Sequence, residues 1–224
     1  MRNAVDSKQL QRVYDRAASH YDFQHALLTF RSDERGRHLV AEHGVHKGDQ
    51  VLDCGAGTGS SSFLAAAKAG KSGHITLFDM SEGMLEEARN KARSMGYDGR
   101  VDFRTGDILA LPFVDNSFDC VISTYSICPL YDPAKGALEM WRVVKPGGRL
   151  AVAHSVEPRS RFSKWLGDHV ENIAWHFPWL TLGCRAVEVL SVLKNAGGTV
   201  TFERYLGFPL WPFVVFVVEK PERT

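Results

Sequence analysis

Cysteine is scarce in this chain: four in 224 residues, at Cys54, Cys120, Cys128 and Cys184, none of them in a CxxC pair. Scattered among apolar runs, they read as reduced thiols of a cytosolic protein rather than as a disulfide framework. An excess of one charge is also missing. Lys plus Arg number 27 and Asp plus Glu number 26, a formal net charge of +1. Nucleic-acid binders carry a marked basic excess or a basic run, so no nucleic-acid partner is expected. No apolar run is long. The longest, Phe208 to Val218, falls well short of the roughly 20 residues that cross a bilayer. Met1 to Leu10 is polar and has no apolar core of the kind a signal peptide needs. The expected location is the cytoplasm, with peripheral contact to a membrane or lipid surface left open. The nine histidines show no HExxH spacing, and no Ser-His-Asp order or phosphate loop is visible. No metal is expected.

What is present is ordinary globular composition, 44% hydrophobic and 24% charged, in a length that suits one domain. Two polar segments with helical spacing open the chain, about Ser7 to Tyr21 and Gln24 to Gly44. Beyond them short apolar strands alternate with helices. Strands are expected at Val51-Leu52, His74 to Phe78, Val101 to Arg104, Phe118 to Ser123 and Arg149 to His154. Helices are expected at Ser62 to Ala69, Ser81 to Met95 and Pro133 to Val144. That rhythm indicates an α/β fold with a parallel sheet covered on both faces. Residues 155 to 184 form an irregular, aromatic-rich insertion. Ala186 to Asn195 reads as a helix, and Thr199 to Tyr205 with Trp211 to Val218 as a closing antiparallel hairpin around Leu206 to Pro209. The organisation expected is a single domain: an N-terminal helical cap (1 to 45), a core (46 to 154), the insertion (155 to 184) and a C-terminal helix with a strand pair (185 to 224).

The most informative motif is Asp53-Cys54-Gly55-Ala56-Gly57-Thr58-Gly59, which follows a strand and precedes a helix. Glycines there let the backbone turn tightly and leave it bare toward a ligand. The dinucleotide fingerprint G-x-G-x-x-G does not fit, because the third glycine comes one position early and Ser60 stands at the last site. Asp79 ends the second strand, about 20 residues beyond Gly59, where a carboxylate accepts ribose hydroxyls in nucleotide-binding folds; a helix cap or surface acid is the other reading. Gly106-Asp107-Ile108 follows the third strand. Phe118-Asp119-Cys120-Val121 and the Lys145-Pro146-Gly147-Gly148 turn mark the fourth and fifth strands.

Acid-x-G-x-G-x-G resembles motif I of the class I S-adenosylmethionine-dependent methyltransferases, and the later features resemble that family's motifs in the same order. The resemblance covers residues 50 to 154 most closely. It implies a Rossmann-like, seven-stranded, mostly parallel sheet with helices on both faces and S-adenosyl-L-methionine as cofactor. It also implies cofactor contacts from Asp53, Gly55, Ala56, Gly57, Thr58, Gly59, Asp79, Met80, Gly106, Asp107, Ile108 and Ser123. Tyr14-Asp15 and Tyr21-Asp22 resemble the paired tyrosine-acid motif of the ubiquinone/menaquinone methyltransferase group, a layout shared with a phosphatidylethanolamine N-methyltransferase group. By that resemblance Tyr21 closes over the methionine end of the cofactor, or else packs between helices.

Methyl transfer asks mainly for positioning, and a base only where the acceptor must first lose a proton. His154 and His176 are the candidates for that base. The loop Ser126-Ile127-Cys128-Pro129-Leu130-Tyr131 lacks the Asn/Asp-Pro-Pro-Tyr motif of enzymes that methylate the exocyclic amines of DNA bases. It also lacks the Arg-Asn pair of quinone C-methyltransferases, which counts against that reaction. Phe162, Trp165, Trp175, Phe177 and Trp179 of the insertion line an apolar acceptor pocket, rest on a lipid surface, or pack a lid of their own. The expected activity is therefore methylation of a small apolar or amphipathic acceptor: a lipid amine, quinol-like ring, thiol or hydroxyl. The alternatives are a non-catalytic protein that binds the same cofactor and a nicotinamide-dependent oxidoreductase.

Overall fold

The computed structural model describes residues 11–12, 14–15, 32–97, 99–158, 160, 185–208 and 211–222. Tyr21, His176, Cys184, most of the N-terminal cap and nearly all of the aromatic insertion lie outside these residues. The elements run α1 (Ser32–Gly44), β1 (Gln50–Cys54), α2 (Ser60–Ala69), β2 (His74–Asp79), α3 (Glu82–Met95), β3 (Val101–Thr105), a 3-10 turn (Ile108–Ala110) and β4 (Phe118–Thr124). They continue with α4 (Pro133–Val143), β5 (Val144–Ser155), α5 (Leu190–Asn195), β6 (Thr199–Phe208) and β7 (Trp211–Glu219).

The seven strands make one sheet in the order β3-β2-β1-β4-β5-β7-β6. Pairing is parallel from β3 through β5 and antiparallel where β7 joins β5 and β6. The expected mostly parallel sheet with a closing hairpin is what forms. Chain direction across the sheet reverses between β1 and β4: β2 and β3 lie to one side, β4 and β5 to the other. A crevice therefore opens at the carboxyl ends of β1 and β4, the place where doubly wound sheets bind ligands.

Successive residues on each strand face opposite layers, which divides the core in two. Val51, Ile75, Ile122, Ala151 and Val215 face α1, α2 and α3. Leu52, Phe78, Val121, Leu150 and Phe216 face α4 and α5. Because both faces are covered, the central strands are apolar almost throughout, which is why they show in the sequence as runs rather than alternations.

Helix ends are set by local chemistry. Ser81 Oγ accepts the Met84 N–H at 3.1 Å to start α3, and Gly96 closes it in a left-handed conformation, φ 71°. Asp132 caps α4 by accepting the Lys135 N–H, with Pro133 in the first turn. Past the other end of α4, Lys220 Nζ donates to the carbonyls of Trp141 (2.9 Å) and Val144 (2.7 Å) and to Asn116 Oδ1 (3.1 Å). A cation there complements the negative end of the helix.

Three boundaries differ from the sequence expectation. Pairing of β5 begins at Val144 rather than Arg149, and Pro146-Gly147-Gly148 forms an irregularity inside the strand, where the register with β4 shifts between Phe118 and Cys120. Helix α5 begins at Leu190 rather than Ala186, since the Val187 N–H is taken by the Ser155 carbonyl at 3.1 Å. The closing hairpin is longer than expected, with β6 continuing to Phe208.

Candidate functional site

A cavity enclosing about 940 Å³, its open mouth included, lies at the carboxyl ends of β1 to β4. Its wall is built from the segments that leave those strands: Gly55 to Thr58 after β1, Asp79 and Met80 after β2, Gly106 to Leu109 after β3, and Thr124 to Ser126 after β4. Pro129, Leu130 and Tyr131 add an apolar side, and Tyr14 and Arg37 reach in from the N-terminal region.

The loop after β1 is held to β2: the N–H groups of Gly55 and Ala56 both donate to the Phe78 carbonyl, at 2.7 and 3.1 Å. Gly55 has φ +76°, and a β-carbon on it would stand 2.1 Å from Ser126 Cβ. Its bareness lets Ser126 Oγ donate to the Cys54 carbonyl at 2.7 Å, so the loops after β1 and β4 are tied together. Gly57 has φ +54°, and nothing stands within 4 Å of where its β-carbon would be. Its bare face is open space in the cavity wall, which is what a ligand lying across the backbone requires.

Asp79 faces the middle of the cavity. Its Oδ2 accepts the Gly57 N–H at 2.8 Å and its Oδ1 the Ser81 N–H at 2.9 Å. Two carboxylate oxygens carry four lone pairs, so these N–H groups leave acceptor capacity for a ligand hydroxyl. Burial lifts the Asp79 carboxyl above the ordinary carboxylate range, against the N–H groups of Ser81, Gly57 and Met80 that pull it down. Asp53 lies behind the loop, fully buried: Ser62 Oγ donates to its Oδ2 at 2.6 Å, and its Oδ1 has no partner. Burial raises this carboxyl to about 7.

The remaining sequence candidates fall as follows. Gly55, Ala56, Gly57, Thr58, Asp79, Met80, Gly106, Asp107 and Ile108 share the cavity wall. Gly59 sits beyond it at the start of α2, against the ring of Phe63. Ser123 is buried, its hydroxyl 2.6 Å from that of Ser126. His154 is buried off the cavity: its Nδ1–H donates to the Ser155 carbonyl at 2.9 Å and its Nε2 has no partner. Burial lowers its basicity, which keeps it neutral. Arg37, Tyr125 and Leu130 are wall residues that the sequence analysis did not single out. Leu130 lies in the loop Ser126 to Tyr131 whose motif was compared above and Tyr125 just precedes it, whereas Arg37 gave no signal, since an arginine in the polar helix α1 reads as an ordinary solvated side chain.

The Methyltransferase domain profile matches residues 45–185. Among curated proteins, the ubiquinone/menaquinone biosynthesis C-methyltransferase UbiE of Haemophilus ducreyi is 35% identical over 147 residues, 65% of this chain. The match spans 57% of that protein's length, under two thirds of it. The enzyme of the same name from a Marinomonas species is 30% identical over 210 residues, covering 88% of this chain and 84% of the relative. Among solved structures, a SAM-dependent methyltransferase from Aquifex aeolicus superposes with a TM-score of 0.60 at 21% identity, over 96% of this chain and 98% of that one. A likeness at that identity speaks for the fold.

Proposed function

The chain belongs to the methyltransferase-domain family, and from that premise we propose that it transfers a methyl group from S-adenosylmethionine to a small apolar or amphipathic acceptor. The observation that carries the reading is the cavity itself, in which a bare glycine loop, a carboxylate and a guanidinium share one wall. These residues fit the cofactor. Asp79 would accept the ribose hydroxyls, the open backbone at Gly57 would underlie the ligand, and Gly106 to Ile108 would flank the base. Arg37 is the one cation of the wall among the described residues and would take the carboxylate of the amino-acid end.

When bound, the cofactor supplies an activated methyl group on a sulfonium. The chain's own contribution is placement. Ile108, Pro129 and Leu130 present apolar surface that excludes water, and Ser126 fixes the loop after β4 against the cofactor loop. Of the acceptor classes, a quinol-like ring is favoured by the names of the relatives. Cys128, in the loop where quinone C-methyltransferases carry their Arg-Asn pair, is buried, and its Sγ accepts the Ser155 N–H. Deprotonation of such a ring then falls to the acceptor's own acidity or to His176, and Tyr21 is assigned to cover the methionine end.

Thermal unfolding with and without S-adenosylhomocysteine, and with NAD as control, tests the reading. Ligand at about 100 times its dissociation constant adds about 2.7 kcal/mol, which raises the melting temperature by several degrees. Turnover is then read as S-adenosylhomocysteine formed with quinols, lipid amines and thiols. A shift with NAD alone would overturn the proposal in favour of an oxidoreductase. Binding of S-adenosylhomocysteine with no turnover on any acceptor would leave a cofactor-binding protein without catalysis.

A further inference from the structure

Tyr125, the first residue after β4, has φ +61°, and among the described residues only Asn116 is a second non-glycine with positive φ. Residues bearing a β-carbon hold that conformation only where their surroundings over-determine it, and such positions gather at ligand sites. The surroundings here are specific. The Tyr125 N–H donates to the Ala153 carbonyl at 2.7 Å, and the ring stands edge-on to Phe213 at 5.2 Å. The phenol is buried, and its Oη donates to the Asp33 carbonyl in the first turn of α1 at 3.3 Å. Gly36 makes room for this contact, because a β-carbon there would lie 2.1 Å from Oη.

The same turn of α1 carries Arg37. Its guanidinium lies over the Tyr125 ring, 5.6 Å from the centroid, and pairs with Asp33 Oδ2 at 3.4 Å. Both Arg37 and Tyr125 line the cavity. A cation in contact with both an aromatic face and a carboxylate has less rotational freedom left, and donors beyond those two contacts remain for a ligand in the cavity it lines. The charge of Arg37 also lowers the Asp53 carboxyl, behind the glycine loop, against the larger effect of burial.

We propose that Tyr125 is a positioning residue. Through Asp33, Gly36 and Arg37 it fixes the guanidinium toward the carboxylate of the cofactor's amino-acid end, and so sets affinity for that end independently of the nucleoside end. The inference rests on the cofactor assignment of the preceding subsection. It predicts that damage to the phenol is felt by ligands carrying the amino acid and ignored by ligands without it. A phenol that only supported the fold would weaken both alike.

The test is calorimetric titration of the full chain, as wild type, Tyr125→Phe and Arg37→Met, with two ligands. S-adenosylhomocysteine has the amino-acid end, and 5′-methylthioadenosine keeps the nucleoside and thioether without it. Arg37→Met should weaken S-adenosylhomocysteine by about tenfold or more, the loss expected for a charge-assisted hydrogen bond. Tyr125→Phe should weaken it by about threefold to tenfold, and both variants should bind 5′-methylthioadenosine within about twofold of wild type. In turnover, the KM for S-adenosylmethionine of Tyr125→Phe should rise while kcat holds. Unchanged S-adenosylhomocysteine affinity in Tyr125→Phe would overturn the inference, as would equal losses for both ligands. Wild-type protein that binds neither ligand would overturn the cofactor assignment itself.

Discussion

Replacing Asp53 by asparagine should remove a pH dependence of stability that the wild-type chain carries. The Asp53 carboxyl is fully buried with one oxygen unpartnered, and burial moves its pKa from the ordinary 3.8 to about 7, more than the Ser62 hydroxyl and the Arg37 charge pull it down. The folded state thus favours the protonated form. The stability this contributes is fully present below the unfolded value of about 3.8 and is lost as pH rises through about 7. With those two values, linkage gives a loss of roughly 2.6 kcal/mol between about pH 5 and about pH 8. For a domain of this size that is about 5–10 °C in melting temperature. Asparagine keeps the shape and an acceptor for Ser62 but cannot ionise. The difference between the two proteins reports the Asp53 titration together with its coupling to the neighbouring Asp79. Urea unfolding of wild type and Asp53→Asn at four pH values across that window measures it. The wild type should lose about 2–3 kcal/mol relative to the variant as pH rises. Parallel profiles would refute the reasoning and mean that the carboxyl is solvated or paired.

Gly55→Ala places a β-carbon 2.1 Å from Ser126 Cβ at φ +76°. It should cost about 1–3 kcal/mol in urea unfolding and weaken S-adenosylhomocysteine binding, because the loops after β1 and β4 must separate. Lys220→Met removes the ammonium that lies over the Trp141 ring and donates to the carbonyls of Trp141 and Val144. It should lower stability by about 1–3 kcal/mol while leaving S-adenosylhomocysteine affinity within about twofold. An unchanged urea midpoint would show that water replaces the ammonium at no cost.

The parts of the site legible in the sequence are those encoded within a few residues of each other. Asp53 to Gly59 is a strand end, a turn and a helix start in one stretch, and Asp79 ends the next strand, so their convergence follows from parallel strands adjacent in the sheet. Arg37 and Tyr125 are another matter. They come together because α1 docks across β4 and β5, and the signals for that docking are a glycine at position 36 and a phenol almost 90 residues away that reaches Asp33. Neither reads as a motif. The strand boundaries were blurred for a similar reason. Pro146-Gly147-Gly148 has turn chemistry, yet the Gly147 N–H is taken by the Lys220 carbonyl at 2.8 Å, and the segment stays in the strand. Val187 has helical spacing with its neighbours, but the Ser155 carbonyl captures its N–H first. In each case a partner distant in sequence decided between two local conformations.

The position of β7 has a consequence for how the chain is made. It is translated after β6 but sits between β5 and β6, and among the described residues β6 pairs with no other strand. While a ribosome adds about 5–20 residues per second, the edge of β5 from Arg149 to Ser155 waits with its outward backbone groups unpaired until residues 211–219 emerge. The helices and the five parallel strands can assemble early, yet the sheet closes in one late event that seats both remaining strands together. A chain in which residues 211–219 have not yet docked carries an open strand edge at β5, a template on which another chain can pair.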